Sequence, residues 1–245
     1  MRSNTRINFQ KIVRFESDKQ RNMILKIFFK DGVYTMLYVL VSIIGYFMGC
    51  IQTSYIVGKL HGIDIREHGS KNAGATNVAI VVGKKRGFMV AALDILKAAI
   101  PMLLIRLIIE DSETLAFVCG FFAVIGHIFP VFMGFRGGKG TATVGGIMLG
   151  LNPLFFLIGV SLFILVMMIS NYMVIGALAA VVSLIPMVWI GYNDPVMISL
   201  AFVLLAVSSY KHRMNIVRLF GGQEVTIRDG WTRTKWRKHN AEGEE

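Results

Sequence analysis

Apolar residues in this chain are gathered into long runs separated by short polar stretches. The first run, Val33 to Gly58, contains no charged residue. The second, Phe88 to Ile109, carries Asp94 and Lys97 three positions apart, which places both on one helical face. A third covers Thr114 to Met133, and no charge at all appears from Thr141 to Asn193. A last run, Pro195 to Tyr210, precedes the polar C-terminal part. A helix crosses the hydrocarbon of a bilayer in about 20 residues, so each long run predicts a membrane span. The uncharged stretch is long enough for several crossings and breaks at Leu151-Asn152-Pro153 and at Ser170-Asn171. It therefore reads as a short helix over Thr141–Gly150, a second over Pro153–Ile169 and a third over Tyr172–Tyr192.

Between the runs lie three polar clusters. They are Gly69-Ser70-Lys71-Asn72-Ala73-Gly74-Ala75-Thr76-Asn77, Gly137-Gly138-Lys139-Gly140, and Lys211-His212-Arg213-Met214-Asn215. Gly-rich turns let backbone N–H groups approach an anion closely, and Lys and Arg supply the charge. Three such clusters on one face of a helical bundle form a grip for phosphate groups. For all three to share a side, an even number of crossings must separate each pair. Two spans separate the first from the second. The three segments of the uncharged stretch plus the last run make four more, which with the first run gives seven in all. The predicted fold is thus an all-α integral membrane protein, a bundle of seven transmembrane helices with one of them short.

Composition agrees. Hydrophobic residues make up 54% and charged residues 17% of the chain, against about a quarter charged in a soluble domain, and mean hydropathy is +0.59. The net charge of +11 lies outside the apolar runs and suits anionic substrates or headgroups rather than nucleic acid. Three regions follow: a basic N-terminal tail or interfacial helix over 1–32, the seven-span region over 33–224, and a polar tail over 225–245, basic then acidic. The first 30 residues hold eight Lys or Arg and no signal-peptide pattern. Asn22–Phe29 is either a short amphipathic helix on the membrane surface or part of a disordered tail. The basic loop over Lys59–Gly87 and the basic C-terminal tail place the clusters in the cytoplasm by the positive-inside rule. The eight basic residues of the N-terminus then lie outside, against that rule.

The clusters exclude some chemistry. Met133 stands where an ATP-binding P-loop requires its first Gly, and Lys139 is followed by Gly140 rather than Ser or Thr. No His is followed by Asp at the His-x4-Asp spacing by which many acyltransferases activate a hydroxyl, and Gly-x-Ser-x-Gly and His-Glu-x-x-His are absent. No metal site is predicted. What remains is a phosphate binder. Ser70, Asn72, Thr76 and Asn77 are its hydrogen-bond donors, Lys139 and Arg213 its cations, and His212 its best-placed titratable group. Asp94–Lys97 reads as a structural intramembrane pair rather than a proton relay, and His127 and Pro130 read as structural. Cys50 and Cys119 read as packing residues.

Taken together, Gly69–Asn77, Gly137-Gly138-Lys139-Gly140-Thr141-Ala142-Thr143 and His212–Glu224 closely resemble, in order and spacing, the three signatures of the bacterial acyl-phosphate:glycerol-3-phosphate acyltransferases. The resemblance extends over about Tyr34–Glu224 and includes Asp94-Ile95-Leu96-Lys97. It implies a seven-span inner-membrane enzyme with its active site on the cytoplasmic side. Such an enzyme moves a fatty acyl group from acyl phosphate to the 1-hydroxyl of glycerol 3-phosphate. The products are lysophosphatidic acid and phosphate, and no cofactor, coenzyme A or acyl carrier protein takes part. The family's phosphate-binding roles fall on Ser70, Asn72, Gly74, Thr76, Asn77 and Lys139, and the candidate phosphate-binding set is completed by Gly137, Gly138, Gly140, Thr141 and Arg213. Its substrate-positioning and catalytic roles fall on Lys139, His212, Asn215 and Glu224. The proton acceptor is either His212 or the substrate's own phosphate. Three positions depart from the family pattern: Lys71 replaces a small residue, Ile80 an Arg that helps hold glycerol 3-phosphate, and Ala98 a Gly. The rival reading is a transporter of phosphate or phosphate esters, which is usually built from inverted repeats around a midplane site; no internal repeat is visible.

Overall fold

The computed structural model describes residues 32–230. The N-terminal tail and the end of the C-terminal tail, including the candidate amphipathic helix Asn22–Phe29, lie outside the described residues. The described residues fall into two units, residues 32–40 and residues 41–230. The first is helical. The second begins with α1 (residues 41–50) and continues through α2 (Thr53–Leu60), α3 (Ala75–Val81), α4 (Lys84–Ile108), α5 (Glu113–Ile128), α6 (Thr141–Leu151), α7 (Pro153–Ser170), α8 (Met173–Tyr192), α9 (Pro195–Phe220) and α10 (Ile227–Gly230). Among the described residues there is no strand.

Among the described residues, six helical segments are long and apolar enough to cross a membrane, Gly32–Leu60, Lys84–Ile108, Glu113–Met133, Pro153–Ser170, Met173–Tyr192 and Pro195–Phe220. The short helix α6 has 11 residues, or about 16 Å at 1.5 Å per residue. It falls short of a bilayer crossing by itself, and the expected seven helices with one of them short are met by six long spans and this one short apolar helix among the described residues. Its ends nevertheless lie at the two polar ends of the bundle. At one end Thr141 Oγ1 is 3.5 Å from His212 Nε2. At the other, the carbonyls of Gly150 and Leu151 accept from one Arg106 nitrogen at 2.8 and 2.5 Å, and Tyr192 donates to Leu151 O at 3.2 Å. The chain therefore changes ends over α6, and the even number of passages between the second and third clusters is kept. A short helix suffices because it is enclosed by protein: Val144, Ile147, Met148 and Leu151 join Met102, Phe117, Val124 and Leu184 in the main apolar core. By contrast α7 has Gly159 as its only buried residue, which suits a lipid-facing position.

Several boundaries differ from the sequence expectation. The first apolar run is not one regular helix, since Ile51 and Gln52 are non-helical. α4 begins at Lys84, so Lys84, Lys85 and Arg86 form its first turn instead of ending a loop. The last helix does not stop at Tyr210 but continues to Phe220, which makes the third cluster part of a helix rather than a turn. Asp194 starts that helix, accepting from the backbone N–H groups of Val196 and Met197, and Pro195 stands at its first position, where no N–H is needed.

Candidate active site

The second cluster is set in place by its backbone. After α5, residues 129–136 turn back so that Gly137 N donates to Ile128 O at 3.2 Å and Gly138 N to His127 O at 3.1 Å. The fit leaves no room for side chains. A Cβ on Gly137 would stand 2.0 Å from His127 O, and one on Gly138 would stand 2.2 Å from His127 Nε2 and 2.8 Å from Ala73 O. The last contact brings the first cluster against the second. Gly140 then takes a left-handed φ of +88°, which reverses the chain into α6. No side chain caps that helix, so its first N–H groups are available to an anion.

Lys139 lies at the middle of this turn. Its ammonium donates to Asn215 Oδ1. The Asn215 amide donates to Glu224 Oε1 at 2.6 Å, and Arg218 Nε pairs with Glu224 Oε2 at 2.9 Å. Cation, amide, carboxylate and guanidinium thus form a continuous chain, and the second and third clusters meet. Burial pushes the Lys139 pKa down; Glu224 opposes the shift, while the charges of Arg218 and Lys211 add to it, leaving a value of about 8. His212 is buried beside Thr141, and its Nδ1 has no hydrogen-bond partner. It follows Ser208 by one helical turn, and the Ser208 hydroxyl reaches Lys139 O at 3.4 Å.

The first cluster is organised around Asn77. Its Oδ1 accepts from Ser70 N at 2.8 Å, and its amide donates to Ile65 O at 2.8 Å and His68 O at 2.9 Å. Predicted as a donor to phosphate, Asn77 instead spends both amide hydrogens shaping the loop. Ser70 and Asn72 remain partly exposed on that loop. Gly74 precedes α3 with no side-chain cap. Thr76, at the exposed start of α3, donates to Met173 Sδ at 3.1 Å. Arg213 is not brought to the cluster: it is exposed, and its guanidinium stacks 4.1 Å from the Tyr210 ring and donates to Tyr210 O at 3.0 Å. Helical periodicity explains this, because Arg213 lies about 100° around the helix from His212.

Sequence reasoning missed Ser208 as a support for the Lys139 turn. It also missed Arg218, whose spacing of three from Asn215 places the two on one helical face. It read Asp94–Lys97 correctly as a buried pair, with Lys97 Nζ 2.9 Å from Asp94 Oδ1, but did not connect it to His127. Cys50 and Cys119 are buried and unpaired, as expected of packing residues. A cavity of about 280 Å³ lined by Leu103, Arg106, Asp111 and Glu113 lies at the far end of α6 and shares no residue with the cluster.

Comparison with known proteins places this arrangement in context. The family profile described as glycerol-3-phosphate acyltransferase matches residues 39–222. A glycerol-3-phosphate acyltransferase of Acholeplasma laidlawii is 36% identical over 220 residues, covering 78% of this chain and 94% of the relative. One from Desulfotalea psychrophila is 40% identical over 188 residues, covering 74% and 94%. Among solved structures, the glycerol 3-phosphate form of PlsY (YgiH), an integral membrane glycerol 3-phosphate acyltransferase, superposes with a TM-score of 0.73 at 33% identity, covering 78% of this chain and 95% of that one. The lysophosphatidic acid form of the same protein gives a TM-score of 0.71 at 32% identity, covering 77% and 94%.

Proposed function

The chain belongs to the glycerol-3-phosphate acyltransferase family, and from that premise we propose that it transfers a fatty acyl group from acyl phosphate to the 1-hydroxyl of glycerol 3-phosphate, releasing lysophosphatidic acid and inorganic phosphate. The observation that carries the proposal is the meeting of the three clusters. Gly138 lies against Ala73 O, and the Lys139 ammonium lies on Asn215. Two phosphorylated substrates need a preorganised cationic nest more than a strong acid. Acyl phosphate is a mixed anhydride, and the C–O bond to its phosphate breaks readily once the departing charge is neutralised.

In this reading Lys139, the N-terminus of α6 and the Gly137–Gly140 turn neutralise phosphate charge. Ser70, Asn72, Gly74, Thr76 and Thr141 line the approach, and Asn77 holds the loop that presents Ser70. Asn215 and Glu224 fix the Lys139 ammonium. The glycerol hydroxyl attacks the acyl carbonyl, its proton passing to His212 or to a substrate phosphate oxygen, and the two substrates held side by side supply the proximity. No coenzyme A, acyl carrier protein or metal takes part. The site faces the cytoplasm of the bacterial inner membrane, and the acyl chain lies among the apolar helices.

Purified protein in liposomes, given labelled glycerol 3-phosphate and palmitoyl phosphate, tests the proposal. Labelled lysophosphatidic acid is the expected product. Accumulation of unmodified glycerol 3-phosphate inside the vesicles, without product, refutes it in favour of a transporter.

A further inference from the structure

Beneath the Gly137–Gly138 turn lies a second polar assembly, buried between α1, α2, α4 and α5. Asp94, Lys97 and His127 are 2, 6 and 4% exposed. Asp94 Oδ1 accepts from Thr53 Oγ1 at 2.7 Å and from Lys97 Nζ at 2.9 Å. Lys97 Nζ also donates to Ile51 O at 2.8 Å and contacts His127 Nδ1 at 2.8 Å. An ammonium has three hydrogens and no acceptor, so these three acceptors use it completely. With Lys97 charged opposite Asp94, Nδ1 of His127 accepts and the ring proton is assigned to Nε2. The ring is thereby locked with Nε2 beneath Gly138, 2.2 Å from where a Cβ would stand. The His127 carbonyl is engaged at the same time, by Gly138 N at 3.1 Å and by Gln52 Nε2 at 3.0 Å. Both the ring and the main chain of His127 therefore bear on one glycine, the neighbour of Lys139.

An ion pair buried in a membrane protein is costly, and apolar residues of similar volume generally hold helices together as well or better. Stability alone does not account for this assembly. Its directional bonds do what packing does not, namely fix one backbone turn. We propose that Asp94, Lys97 and His127 are positioning residues for the acyl-transfer site, holding the Gly137–Lys139 turn in the geometry that binds the phosphate of glycerol 3-phosphate. The inference rests on the proposed reaction for its choice of ligand.

The test replaces the pair by apolar residues of similar size, Asp94→Leu with Lys97→Met. Glycerol 3-phosphate binding is measured by calorimetry, turnover by lysophosphatidic acid formation, and Tm in detergent. The expected result is an unchanged or raised Tm, with Kd and KM for glycerol 3-phosphate raised about 10- to 100-fold, the scale of a 1 Å misplacement, and kcat changed less. Gly138→Ala is combined with the pair substitution. Two changes acting through one turn give a combined rise in KM smaller than the product of the separate rises, whereas independent effects multiply. His127→Gln, which keeps the ion pair and an acceptor for Lys97 while removing the ring, gives the same readings if the pair variant fails to insert. A folded variant whose Kd and KM lie within about two-fold of the parent, or effects that multiply, overturns the positioning role. A parent protein that binds glycerol 3-phosphate but forms no lysophosphatidic acid refutes the reaction instead, and Kd still tests the positioning.

Discussion

Replacing Lys139 by Met removes one ammonium while keeping most of its apolar stem. An ammonium about 4 Å from a phosphate charge contributes on the order of 4 kcal/mol at an effective dielectric constant of about 20, or about 10³-fold in rate if it acts on the charge of the departing phosphate. Asn215 Oδ1 loses its donor in the variant, which costs about 1–3 kcal/mol, but a largely buried charge disappears with it. Tm should therefore change little while kcat/KM falls about 10³-fold. The pH profile supplies an independent check. Burial, with Glu224 opposing and Arg218 and Lys211 adding, lowers the Lys139 pKa from its ordinary 10.5 to about 8. The wild-type rate should thus fall as pH rises through about 8. Between about 8 and 10.5 the unfolded chain holds more of this proton than the folded one, so the contribution of Lys139 to stability rises with pH while activity falls. Unfolding cannot then explain the alkaline loss. The assay is initial-rate lysophosphatidic acid formation in detergent, with Tm measured on the same samples. A Met variant within about ten-fold of wild type, or one whose activity loss tracks a loss of Tm, refutes the role given to Lys139.

His212→Ala separates a base from a binding residue: as a base, the variant loses about 10²- to 10⁴-fold in kcat with KM little changed, and steady-state kinetics reads the difference. Arg106→Met removes the clasp on the Gly150 and Leu151 carbonyls and should lower stability by about 1.5–3 kcal/mol for each charged hydrogen bond lost, seen as a lower Tm with kcat preserved at low temperature. α1 and α5 meet backbone to backbone, since a Cβ on Gly45 would stand 2.1 Å from Cys119 O and one on Gly126 2.1 Å from Tyr46 O. Gly45→Val or Gly126→Val should push the two helices apart and cost at least the 1–3 kcal/mol typical of overpacking, checked by the yield of folded protein in detergent.

How much of this was legible beforehand varies by element. The spans were, because crossing a bilayer demands about 20 apolar residues in succession, and that demand is written locally. The three clusters stood out for the same reason, as polar segments that no span tolerates. The parity of their separation already required an extra passage over the region of α6. The extension of α9 through the third cluster was not legible: polar residues there resemble a loop in composition, whereas the His212–Asn215–Arg218 spacing works only on a helix. Nor was the burial of α6, whose 11 residues suffice only because other helices enclose it.

The order of apolar and polar segments determined by itself that the chain is a helical membrane protein with Gly-rich cationic turns at one end. Tertiary structure alone decided which polar atoms meet. Asn77 turned inward to Ile65 and His68, Lys139 fell to Asn215, Arg213 swung to Tyr210, and Asp94, Lys97 and His127 closed beneath Gly138. Hydropathy and helical period act over a few residues, while each of these pairings depends on where helices distant in sequence come to rest against one another.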